Sequence, residues 1–271
     1  MPYGSFPYAS YPLGGMGSLQ TSEILILSQQ IRIYYKNILE EAIVTVTSEN
    51  TSYPKYRLYD RNIGLLFKGN STPSQFQINI DQGPLLSNQI DKIIIPSGHN
   101  FSGKPIRLYH SIDGINYEQF RAWTMPSGRF ADDFPLTEKR YWRFGIDNPA
   151  SPPELSELWL GKGYEFERGP SYGYERGMQD NINRLESKSG QVQKTTWGLE
   201  KKRRHYDLTK ISNGQRIELE TFRGTVYGKN FYIEDMEGEL FFVELPNGLG
   251  NFRSEQINRW GLTLNVMEII A

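Results

Sequence analysis

The side chains that most often do chemistry are few in this chain. There are three histidines, His99, His110 and His205, and no cysteine. Lacking cysteine excludes disulfides, zinc ribbons, thiol catalysis and thiolate clusters. His110 shares one face of an alternating run with Ile106 and Leu108, so it reads as a packed core or rim residue. His205 follows Lys201-Lys202-Arg203-Arg204, whose charges disfavour the imidazolium form. No G-x-S-x-G, H-E-x-x-H or P-loop pattern occurs. Carboxylates abound, but a glycosidase pair is defined by its separation in space, which spacing along a chain does not give. The chain therefore reads as noncatalytic.

Charge argues in the same direction. The 271 residues carry 30 Lys+Arg against 31 Asp+Glu, a balance unlike that of a global nucleic-acid binder. In an extended 197–206 segment, Lys201, Arg203 and His205 face one way while Lys202 and Arg204 face the other. Cations on both faces, bracketed by Glu200 and Asp207, suit a solvated or subunit-contact strand better than a phosphate groove. No apolar run approaches the roughly 18 residues of a membrane span. The N-terminus shows neither a basic start nor an apolar signal core, so Sec-type export is not expected.

The elements that would position any site read as strands and turns. Pro2, Pro7 and Pro12 space a Tyr/Gly/Ser-rich arm over 1–21, which builds neither helix nor central strand. Gln75 to Asp81 alternates strictly, with Phe76, Ile78 and Ile80 on one face, and stops at Gly83-Pro84. Further strands are expected at 93–95, 106–110, 141–146 and 158–160, with Asp113-Gly114 as a hairpin turn. Turns about every ten residues indicate a sandwich or jelly roll over 22–163. Residues 164–190 read as linker and irregular loop, with a short helix near 178–185. In 191–271, Ser212 and Gln215 form a capping box that starts a helix to about Phe222. A hairpin around Glu237-Gly238 and a last strand over 260–269 complete a smaller, mostly-β (α+β) domain.

Several of these segments carry a family resemblance. Thr47-Ser48-Glu49-Asn50-Thr51-Ser52-Tyr53-Pro54 precedes Arg57-Leu58-Tyr59-Asp60. There follow, in order, Phe76-Gln77-Ile78-Asn79-Ile80-Asp81-Gln82-Gly83, Ser111-Ile112-Asp113-Gly114 and Glu157-Leu158-Trp159-Leu160-Gly161. Together they resemble the discoidin-like (factor 5/8 type C, galactose-binding-like) jelly rolls over residues 47 to 161. Phe67 and Phe76 stand where that family usually has tryptophan, and no cysteines clasp the ends. The resemblance implies a mainly-β sandwich and a structural calcium ion held by loop carbonyls with Asp60 and Glu157. The alternative for Asp60 is a turn cap with Arg61-Asn62. It also implies a host-surface glycan held by loop residues, with Tyr53, Tyr56, His99, Asn100, Trp123 and Arg129 as candidates. Trp123 leads them because the turn-rich Thr124-Met125-Pro126-Ser127-Gly128 follows it. Lidding the sandwich or meeting a neighbouring subunit is the other reading of that ring.

The flanks resemble bacteriophage minor tail proteins. The N-terminal repeat is similar to the openings of many of them. Gly190 to Trp197, the basic run, Leu208, Ser212 and Phe222 resemble the rim of tail-tube-like β-domains. Trp260-Gly261-Leu262-Thr263-Leu264 resembles their closing strand. This implies a structural protein of the distal tip or baseplate in a virion, assembling as a homo-oligomeric ring with other phage tail proteins. The alternative is a carbohydrate-binding module of a bacterial surface or polysaccharide-degrading system.

Overall fold

Alternation in the sequence becomes alternation in burial: Gln75–Asp81 is a strand with Phe76, Ile78 and Ile80 buried. A computed structural model describes residues 30–84, 88–167, 170, 175–179, 182–186, 192–196 and 201–270. The proline-spaced arm over 1–21 lies outside the described residues.

Gln75–Asp81 sits within a five-stranded antiparallel sheet. Its order is Ile43–Val46, Gln75–Asp81, Tyr141–Asp147, Pro105–Ser111, Glu118–Thr124. A three-stranded sheet, Trp159–Gly161, Gln89–Ile95, Phe130–Glu138, covers its inner face. Ile78, Ile106, Trp142 and Phe144 from the first sheet meet Ile90, Ile93, Phe134 and Leu160 from the second in one core. The result is an antiparallel two-sheet β-sandwich, the architecture that the resemblance implies. Phe67 and Phe76 pack ring against ring at 5.8 Å. The Ser111–Gly114 turn is closed by Asp113, whose carboxylate accepts from the amides of Ile115 and Asn116, both at 2.8 Å. These bonds hold the Asp113 carboxyl well below its ordinary range, the Ile115 amide contributing most. The Phe130–Glu138 strand escapes a reading by pattern because Pro135 interrupts it. Proline is tolerated there because this strand lies at the edge of its sheet.

Beside the sandwich stands an eight-stranded antiparallel sheet. It runs Tyr164–Glu165, Arg32–Tyr34, Phe231–Glu234, Leu240–Glu244, Arg259–Glu268, Lys201–Ile211, Glu175–Gln179, with Arg253–Gln256 paired to Arg259–Glu268. The helix Asn213–Val226 lays Leu219, Phe222 and Val226 on it. Its start is the expected cap, Ser212 Oγ accepting from the Gln215 amide at 3.2 Å. Along Lys201–Ile211, Arg204, Tyr206 and Leu208 face inward, and Lys202 and Arg204 both pair with Glu239.

Two expectations are corrected here. The described residues of 178–185 lie in strands rather than a helix: Glu175–Gln179 pairs with Lys201–Ile211, and Ile182–Glu186 pairs with Val192–Thr196. Neighbouring strands supply the hydrogen-bond partners that one isolated helical turn or two lacks in water. Strand pairing also crosses the boundaries read from the sequence. Arg32–Tyr34, from the segment assigned to the jelly roll, pairs with Phe231–Glu234 in the second sheet. The sandwich thus interrupts a sheet built from both of its flanks.

The two bodies meet through Tyr34, Ile94, Trp159, Tyr232, Leu240 and Phe242, all buried. Gly161 lets the chain pass here, since a Cβ at this position would stand 2.3 Å from the Lys36 carbonyl oxygen. Two buried cations tie the junction. Lys92, 3% exposed, binds Asp133 at 3.1 Å and Glu234 at 2.9 Å. Arg61, 4% exposed, donates to Glu40 at 2.6 Å, to the Tyr35 carbonyl at 2.8 Å and to the Asn230 carbonyl at 3.1 Å. Removing a buried cation strands its acceptors, so Arg61→Met should lose about 3 kcal/mol or more in urea denaturation. Adding Glu40→Gln to that variant should recover part of the loss. An unchanged midpoint for the single variant would show that the junction does not depend on this residue.

Candidate functional site

One end of the sandwich gathers loops from distant parts of the chain. Asn100 knits two of them: its Nδ2 donates to Ser151 Oγ at 3.0 Å and to the Pro152 carbonyl at 2.9 Å, while its Oδ1 accepts from the Glu154 amide at 2.9 Å. Pro153 in turn accepts from the Gly69 amide at 2.8 Å, and Glu154 pairs with Lys68 at 2.8 Å. Lys68 Nζ lies over the Tyr53 ring at 4.7 Å, with the Arg57 guanidinium 5.2 Å from the same ring. His99 is 3.0 Å from the Gly128 carbonyl through Nε2 and packs on Phe101 at 4.8 Å. Tyr53, His99 and Asn100 therefore share one continuous rim. Tyr56, on the short 3-10 turn Lys55–Leu58 beside Tyr53, is 52% exposed and offers an open ring.

The other two glycan candidates are engaged elsewhere. Trp123 lies within the Glu118–Thr124 strand rather than in the loop after it. Its indole N–H donates to Asp132 at 2.9 Å and its ring meets Phe130 edge-on at 5.4 Å. A tryptophan with its polar handle satisfied and its body against the core is a packing residue. Arg129 donates to the Leu240 carbonyl of the second sheet, so its contact is a junction contact. His110 packs on Phe120 and Trp142, and burial lowers its affinity for a proton, with Lys139 adding to the effect.

Asp60 and Glu157 form a second feature. Asp60 caps its turn, accepting from the Asn62 amide at 2.9 Å. Glu157 is fully buried, and neither carboxyl oxygen has a hydrogen-bond partner among the described residues. Desolvation pushes the Glu157 carboxyl well above its ordinary range, and the charges of Asp60 and Glu40 add to this. The neighbouring Arg61, through its charge and its amide, offsets only part. Among the described residues no three His, Asp or Glu side chains group around one point that a metal would occupy. Two carboxyls fit a calcium ion only with loop carbonyls completing the shell, and the unpartnered Glu157 oxygens are what suit such an ion.

Sequence pattern does not disclose Arg61 or Lys92, the cations that tie the sandwich to the large sheet. Arg61 reads as a turn residue, and its left-handed backbone, φ 60°, becomes visible only in the structure.

No family model matches the chain, and no curated protein matches it. Among solved structures, the chain is similar to chitosan-binding module 1 of a chitosanase/glucanase from Paenibacillus sp. IK-5. Identity there is 14% and the TM-score 0.40, over 46% of this chain and 98% of that one. It is similar to CBM32-1 from a family 31 glycoside hydrolase of Clostridium perfringens at 17% identity and TM-score 0.40, over 47% of this chain and 99% of that one. CpGH89CBM32-5 from Clostridium perfringens, solved with GalNAc-β-1,3-galactose, matches at 15% identity and TM-score 0.40, over 46% of this chain and 99% of that one.

Two outcomes follow from this geometry. Trp123→Ala should lower stability by about 3 kcal/mol, toward the low end for a truncated tryptophan because the ring is only partly buried. Calorimetry at neutral pH reads this directly, and an unchanged melting temperature would return Trp123 to the surface candidates. Glu157, its folded-state affinity for a proton raised, contributes stability that is complete below the unfolded carboxyl value. That contribution is lost as pH rises toward the raised folded value. Melting temperature followed from pH about 4 to about 8 should therefore fall less for Glu157→Gln than for the native chain. Calcium at pH 8 should raise the native melting temperature and leave Glu157→Gln unmoved; equal values with and without calcium end the calcium reading.

Proposed function

We propose that this is a noncatalytic carbohydrate-binding protein whose jelly roll holds a glycan at the loop rim bearing Tyr53, Tyr56, His99 and Asn100. The observation that carries this reading is the exposed Tyr56 ring beside a rim of already ordered polar side chains. An aromatic face covers the apolar side of a pyranose while fixed amides and charges meet its hydroxyls. Asn100 and the Lys68–Glu154 pair are held by bonds to other loops, so little ordering remains to oppose binding. Affinity per copy is expected to be weak, with multiple copies gaining by avidity.

A structural role in a phage tail, with a ring of copies and other tail proteins as partners, is favoured by a different observation. Among the described residues, Glu175–Gln179 ends the large sheet, and the Ile182–Glu186 and Val192–Thr196 strands pair only with each other. Exposed strand edges are the usual adhesive of assembling β-domains. A virion location belongs to this reading, and the bacterial-surface alternative needs only the glycan site.

Titration calorimetry with chitosan oligomers and GalNAc-β-1,3-galactose as first probes tests the site. Tyr56→Ala should abolish binding with the melting temperature unchanged. Binding that survives this substitution would remove the rim from consideration. Light scattering of the purified chain tests the assembly: closed rings support the tail reading and a monomer opposes it.

A further inference from the structure

Where the sandwich meets the large sheet, a primary amine stands in direct contact with two carboxyls. Lys92 lies on the sandwich strand Gln89–Ile95 and is 3% exposed. Its Nζ is 2.9 Å from Glu234 Oε2, on the large-sheet strand Phe231–Glu234. It is 3.1 Å from Asp133 Oδ2, on the sandwich strand Phe130–Glu138. The two carboxyls have different surroundings. The Glu234 side chain is 18% exposed and the Asp133 side chain 52%, with Arg32 3.8 Å from the other Asp133 oxygen.

A third group acts on the buried carboxyl. The Tyr34 hydroxyl donates to the same Glu234 Oε2 at 2.7 Å. Burial holds that phenol well above its ordinary range and the Glu234 charge adds to this, so it stays protonated and remains a donor. The Tyr34 ring lies 4.9 Å from Lys92 Nζ, and Tyr34 packs with Ile94, Trp159 and Phe242. Amine, carboxyl, oxygen-directed donor and a second carboxylate are thus assembled around one buried atom. The neighbouring Arg61–Glu40 pair is a plain ionic tie, because a guanidinium keeps its proton and offers no nucleophile. A lysine nitrogen becomes a nucleophile once it gives up a proton.

We propose that Lys92 and Glu234 join in an intramolecular amide bond, a self-catalysed modification that staples the sandwich to the large sheet. The bond forms between Lys92 Nζ and Glu234 Cδ, and the bond between Cδ and Oε1 breaks. Asp133 takes protons from Nζ and passes them to Oε1. Of the three ammonium hydrogens, one stays on the amide nitrogen and two leave with Oε1 as water. Tyr34 donates to Oε2, where negative charge develops in the tetrahedral intermediate. The step consumes no oxidant, nucleotide or metal. Condensation is unfavourable between free groups in water, but groups held in contact react as though at roughly 10⁵–10⁸ M. The amide also removes two charges whose desolvation the ion pair bears. It closes the chain from residue 92 to 234 in a protein with no cysteine to do so. The staple rests on neither the glycan nor the tail reading.

Intact-mass spectrometry of the full native chain tests the proposal without any variant. The mass should fall one water below that of the sequence, and digestion should yield one branched peptide joining Lys92 to Glu234. Lys92→Arg, which keeps the charge and removes the nucleophile, should show the full mass and no branched peptide. Asp133→Asn leaves both reacting groups in place and, followed from cell-free synthesis, should form the bond at least tenfold more slowly. A native chain at the full sequence mass overturns the proposal. So does a lost water that maps to a succinimide at Asp113-Gly114. A link from Lys92 to Asp133 instead would reverse the two carboxyls and overturn the assignment of Glu234. An Asp133→Asn chain that reacts at the native rate would remove Asp133 as the proton carrier.

Discussion

A guanidinium buried to 4% exposure cannot be left without partners, and Arg61 finds them in three parts of the molecule. Glu40 and the Tyr35 carbonyl belong to the segment entering the sandwich, Asn230 to the turn before Phe231–Glu234, and the Trp159 ring, 5.2 Å away, to the sandwich's last strand. Asn230 returns a bond from its Nδ2 to the Arg61 carbonyl at 2.9 Å. The requirement to satisfy one charge thereby fixes how the jelly roll sits on the large sheet. It also fixes the loop holding Asp60 and places a positive charge near Glu157.

Around that ionic centre the junction is aromatic. Trp159 meets Tyr232 at 5.3 Å and Tyr232 meets Phe242 at 4.8 Å, which buries large area with few rotamers to freeze. Lys92 repeats the logic of Arg61, its ammonium 4.9 Å from the Tyr34 ring and bonded to a carboxylate from each body.

Polar satisfaction also separates the surface candidates. Where a side chain's polar atoms are committed to its own fold, as with the Trp123 indole on Asp132 or Arg129 on the Leu240 carbonyl, it supports structure. Where a ring stands open beside committed neighbours, as Tyr56 does beside Tyr53, it is available to a ligand. Both kinds occupy neighbouring positions, and residue type alone does not distinguish them.

The sequence by itself determined the elements whose physics is local. Alternation gives the Gln75–Asp81 strand, Asp113-Gly114 gives its turn, and Ser212 with Gln215 gives the start of the helix, because each depends on residues within a few positions. The order of motifs from Thr47 to Gly161 made the jelly roll legible, and Tyr53, His99 and Asn100 were recognisable as one family of loop positions. Other features required the tertiary structure. Arg32–Tyr34 joins a sheet whose partner strand lies about two hundred residues away, a pairing that no local pattern encodes. Glu175–Gln179 is a strand because Lys201–Ile211 offers it backbone partners. Trp123 became a packing residue through Asp132 and Phe130, and burial pushed the Glu157 carboxyl well above its ordinary range. Desolvation, pairing and close approach are properties of what surrounds a residue, and only the folded chain supplies the surroundings.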